Sequence, residues 1–224
     1  MPADNLHQVQ GKELLFYGLV ALLMLFALVK LAFTKYFNDL FRLFFRTTLK
    51  QRQLSEQLVM TPLPSIFLNL FFIINAGLYL SFWINSKGVN PFTNFWWLFL
   101  YLEIGLTLAY TIKFVGLKIS GWLFNVRAVV DAYIFIVFLV NKMIGIFLIP
   151  ILFLLAFSAE EAFNFFLTIS WILIGGALLY RVFLSYQIVS KQIKLNGFHF
   201  VLYVLAFEIS PLLLIYKLIQ LNFG

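Results

Sequence analysis

Residues 14–29 read LLFYGLVALLMLFALV, an uncharged apolar run closed by Lys30. Asp4, His7, Lys12 and Glu13 stand before it, a poor leader for a signal peptide, and no small-residue cleavage site follows. The run therefore predicts a retained transmembrane helix over about 14–33. The rest of the chain repeats the character of this stretch. Of 224 residues, 63% are hydrophobic and 11% charged. A soluble domain carries about 45–50% apolar and about 25% charged residues, so this composition needs lipid as its solvent. The fold class it predicts is an all-α polytopic transmembrane helix bundle, one domain over 1–224, with about six spans and additional interfacial helices.

The further spans are predicted near 65–84, 94–112, 142–157, 163–184 and 198–221. Pro62 and Pro64 punctuate the chain before the second. Trp96 and Trp97 are placed as interfacial anchors of the third. Gly77 and Ser81 form a small-xxx-small pair that permits close helix approach in lipid. Between the first two spans, Lys35, Arg42, Arg46, Lys50 and Arg52 form a membrane-surface basic set. Lys35, Asp39, Arg42, Arg46 and Lys50 share one helical face, while Phe37, Leu40, Phe41, Phe44 and Phe45 share another. That division predicts a helix near 35–52 lying in the membrane surface. The stretch from Lys113 to Phe157 is too long for one ordinary span. It is read as an interfacial or partly inserted helix over 115–140, then a crossing bent near Pro150. A single long tilted helix is the alternative.

The net charge of +7 would suggest nucleic acid in a soluble protein. Here the basic residues cluster between spans, which points to orientation and anionic lipid instead. They flank the odd-numbered loops, so the positive-inside rule predicts both termini outside the cytoplasm.

Ionisable residues at bilayer depth cost roughly 2.5–3.5 kcal/mol each on insertion scales, so each asks for a reason. Glu103 lies at the centre of the third span, with Thr107 and Tyr110 further along its face as a polar stripe. Glu208 lies in the last span, followed by Pro211, which removes the helical donor of the Phe207 carbonyl. Arg127 and Asp131, four apart, are expected to pair locally. Asn141 and Lys142 open the fourth crossing, and Arg181 with Tyr180 lies near one end of the fifth. Either the two glutamates share a polar cavity, or each pairs with Arg181, Lys142 or Arg127 and locks the bundle. His7 and His199 lack metal-ligand companions, and neither a catalytic constellation nor a cofactor motif is present. Gly175–Gly176–Ala177 is read as a packing site.

The last span, FHFVLYVLAFEISPLLLIYKLI, resembles the closing segment of a family of small polytopic membrane proteins from Bacteroidota, a domain of unknown function. Leu202, Tyr203, Glu208, Ile209, Pro211, Tyr216 and Lys217 carry the likeness, and NKMIGIFLIPILFL, with Asn141, Lys142 and Pro150, resembles the family's fourth crossing. The resemblance implies a bacterial inner-membrane location and no activity. The leading expectation is a non-enzymatic accessory or scaffold subunit of a larger envelope assembly, such as a secretion or motility machine. Its expected partners are the lipid bilayer and other membrane subunits, with no nucleic acid. The alternatives are a small-solute or proton-coupled transporter using Glu103 and Glu208, and an enzyme acting on a lipid-linked substrate near Arg127 and Asp131.

Overall fold

The computed structural model describes residues 12–45, 58, 61–88, 91, 92, 94–123 and 125–192. Six helices account for nearly all of them, and no strand occurs among the described residues. They are α1 (Lys12–Ala32), α2 (Thr34–Phe45), α3 (Pro62–Ser86), α4 (Phe95–Leu123), α5 (Arg127–Phe157) and α6 (Glu160–Gln192). All except α2 are long and apolar enough to cross a membrane. The span expected over 198–221 lies outside the described residues.

The path through residues 113–157 differs from the expected one. There is no single helix over 115–140. Instead α4 continues unbroken to Leu123, and α5 runs from Arg127 through Pro150 to Phe157. The join is a tight turn. Asn125 takes a left-handed conformation at φ 54°, which asparagine tolerates better than most residues. The Val126 N–H closes the turn on the Gly121 carbonyl at 3.0 Å. At 29 and 31 residues, these helices are about 45 Å long, well beyond a hydrocarbon core of about 30 Å. Their excess length carries Lys118, Arg127 and Asp131 near the join of the two helices, whereas Asn141 and Lys142 lie midway along α5 and are buried.

The centre of the bundle is α5. Val140, Met143 and Leu152 have no exposed surface, and α2, α3, α4 and α6 all pack against it. Apolar burial gives little net drive between helices in lipid, so close packing and hydrogen bonds must hold them. Gly145 provides the closest approach: a Cβ there would stand 2.7 Å from Phe72 Cα of α3. Asn75 then reaches across and donates from Nδ2 to the Gly145 carbonyl at 2.9 Å. Gly121 does the same for α4 and α5, against Val130. Further along, the Tyr79 and Ser170 hydroxyls join α3 to α6 at 2.7 Å.

The amphipathic helix α2 forms as its pattern predicts, up to the last described residue of that segment. Lys35 and Arg42 are exposed; Leu40 and Phe44 are buried, together with Tyr36 and Leu43. Phe37, Phe41 and Phe45 stack into a file beside Phe26 of α1, with ring centroids 4.7–6.1 Å apart. Arg46, Lys50 and Arg52 lie outside the described residues. By contrast, nothing stands within 4 Å of a Cβ placed at Gly175 or Gly176, so neither packs against a neighbouring helix.

Candidate functional site

The buried polar residues gather on two sides of α5, because successive positions on a helix point about 100° apart. Lys142 faces α2 and α3. It is 5% exposed, and its ammonium donates to Ser65 Oγ at 2.7 Å and to the Tyr36 hydroxyl at 2.9 Å. The same ammonium lies 5.6 Å from the centroid of the Tyr36 ring. Tyr36 and Ser65 also hydrogen-bond with each other, so the three form a closed cluster, and burial raises the Tyr36 hydroxyl above its ordinary pKa despite that bond. Its neutral phenol therefore meets the lysine at any physiological pH. Among the described residues no carboxylate joins this cluster.

Asn141 points the other way, toward α4 and α6. Its Oδ1 accepts a hydrogen bond from Arg181 Nη1 at 3.2 Å. The Tyr110 hydroxyl of α4 is engaged by Arg181 and lies beside Asn141. Lys113, one turn beyond Tyr110, is near enough to Arg181 for the two cations to repel, and Tyr133 of α5 also feels the Arg181 charge. Neighbouring Tyr180 donates to the Phe44 carbonyl at 2.6 Å, fastening the end of α2 to α6.

Glu103 lies away from both groups, against α3. A Cβ at Gly77 would overlap its carboxyl, and Phe99 closes the other side. Its Oε2 is buried without a hydrogen-bond partner. The expected bridge to Arg181, Lys142 or Arg127 is thus absent for Glu103: the cations sit on α5 and α6, on other faces of the bundle. The expected polar stripe also divides. Thr107 is exposed and bonds the Glu103 carbonyl of its own helix, whereas Tyr110 turns inward. Arg127 and Asp131 do not form the expected local pair. Asp131 accepts from Lys118 across the α4–α5 hairpin at 2.6 Å, with both side chains about half exposed (54% and 49%). Glu208 and Pro211 lie outside the described residues.

Sequence reading missed Tyr36, Ser65 and Asn75 as partners of α5. Each stands in another helix 70 or more positions from its partner in the chain, and no local spacing rule spans that distance.

The chemistry available is that of interhelix ties. A buried ammonium on two neutral hydroxyls fixes three helices, and the Arg181 guanidinium ties α6 to Asn141 of α5.

These features define a polytopic helical membrane protein built around one polar-studded central helix. The chain belongs to the family described as a domain of unknown function, DUF4271, whose profile matches residues 15–219. That agrees with the likeness carried by the Glu-Ile-Ser-Pro segment. No curated protein and no solved structure matches the chain.

Proposed function

We propose that this protein is a non-enzymatic subunit that scaffolds or assists a larger envelope assembly, such as a secretion or motility machine. In this reading it lies in the bacterial inner membrane with both termini periplasmic, a placement supported by the basic residues on the odd-numbered loops. The observation that carries the role is α1. Among the described residues little covers it: Leu19 is buried, while Leu14, Tyr17, Met24, Leu28 and Leu31 stand out at 59–75% exposure. The polar residues of the core meanwhile serve as ties between helices, which suits a rigid support. Photocrosslinking from positions 24 and 28 in native membranes tests this. A recurring protein adduct is expected, and adducts with lipid alone would refute it.

A second reading, proton-coupled transport through Glu103 and Glu208, is favoured by the unpartnered Glu103 oxygen at bilayer depth. Substituting Glu103→Gln and measuring proton uptake into proteoliposomes distinguishes it.

A further inference from the structure

The hydrogen bond from Tyr180 to the Phe44 carbonyl leaves a groove where α2, α5 and α6 meet. Phe44 and Phe45 of α2, Phe147 of α5, and Leu173, Gly176 and Tyr180 of α6 line it. It encloses about 380 Å³, is almost wholly apolar, and is open along one side. The walls are rigid: Phe44 meets the Tyr180 ring at 5.0 Å and the Phe147 ring at 6.4 Å, both edge-on. The floor is low because Gly176 has no side chain and nothing lies within 4 Å of where one would begin.

Chemistry points to the kind of occupant. The groove is apolar, lies between helices and is open rather than enclosed, so a flexible hydrocarbon chain can lie along its aromatic walls. Charge decides the rest. Arg42 is exposed and stands three residues before Phe45, a neighbour on the helix surface. Lys35 lies two turns earlier on the same charged face. An amphipathic helix of this kind sits at the boundary of headgroups and acyl chains, and its basic residues attract anionic headgroups there.

We propose that the groove between α2 and α6 is a binding site for one anionic phospholipid, with an acyl chain against Gly176 and the headgroup phosphate at Arg42. The lipid then completes the seam that joins the surface helix to the bundle. This inference is independent of the scaffold role.

Native mass spectrometry of the full chain, titrated with phosphatidylglycerol or phosphatidylcholine, tests it. Phosphatidylglycerol should bind more tightly, and Arg42→Gln should weaken it about fivefold, the effect of removing one basic residue at the membrane surface. Gly176→Leu should abolish retention of both lipids, and Leu173→Trp serves as a second groove-filling variant should the first fail to fold. Equal affinity of the unmodified protein for both lipids would overturn the proposal, as would full retention by a folded groove-filled variant. So would a dimer that Gly176→Leu disperses without changing lipid retention, because the groove would then belong to a second copy.

Discussion

The ammonium of Lys142 lies 2.9 Å from the hydroxyl of Tyr36, 106 residues away in the chain. This bond ties the amphipathic helix α2 to the central helix α5. With Ser65 it satisfies two of the three ammonium protons inside a bundle where an unpaired charge is very costly.

Removing one partner should therefore cost more than removing both. Tyr36→Phe is expected to destabilise the protein by about 1–3 kcal/mol, since it strips a hydroxyl from a buried ammonium. The pair Tyr36→Phe with Lys142→Met should cost less than the sum of the single changes. Unfolding by denaturing detergent measures all three. Strict additivity would mean that the bond couples nothing.

The same hydroxyl sets a pH limit. Burial raises the Tyr36 pKa in the folded chain, above an unfolded value of about 10. Its stabilising contribution is fully present below pH about 10 and is lost as pH rises through the folded value. Lys142 and Ser65 face it in the fold. Alkaline unfolding curves should thus be shallower for Tyr36→Phe than for the unmodified protein above pH about 10.

Two glycines should respond in opposite directions. Gly145→Ala drives a methyl group into the Phe72 backbone, and such overpacking costs about 1–3 kcal/mol. Gly175→Ala meets nothing and should stabilise by about 0.5–1 kcal/mol through helix propensity. Thermal melting in mild detergent separates them.

The surface ion pair should matter little. Lys118 and Asp131 are each about half exposed, and pairs of that kind contribute about 0.2–1 kcal/mol. Asp131→Asn is expected to shift stability by less than about 1 kcal/mol. A larger loss would show that the α4–α5 hairpin depends on this contact more than its exposure allows.

Glu103 offers a contrast with Lys142. Its buried oxygen has no partner to lose, so Glu103→Gln should leave stability unchanged or raise it. A loss of 3–5 kcal/mol, roughly that of breaking a buried ion pair, would reveal a cation at this carboxyl.

How much of the site was legible follows from where each partner stands. The sequence marked Asn141, Lys142 and Arg181 as residues needing partners, because their cost in lipid is a local property. It placed the division of α2 into charged and apolar faces for the same reason. It paired Asp131 with Arg127 by helical spacing, but the turn at Asn125 brings Lys118 closer from the neighbouring helix. It also grouped Thr107 with Tyr110, although one turns outward to its own backbone and the other inward.

The sequence by itself determined that these segments are helices in lipid, since composition and run length fix the solvent each can tolerate. Only the tertiary structure decided that α5 is the centre, that Lys142 meets Tyr36 and Ser65, and that Glu103 stands apart from both cations. The physical reason is that apolar helices look alike to one another in hydrocarbon. Their arrangement rests on a few close approaches, such as Gly145 against Phe72, which exist only once the helices are packed together.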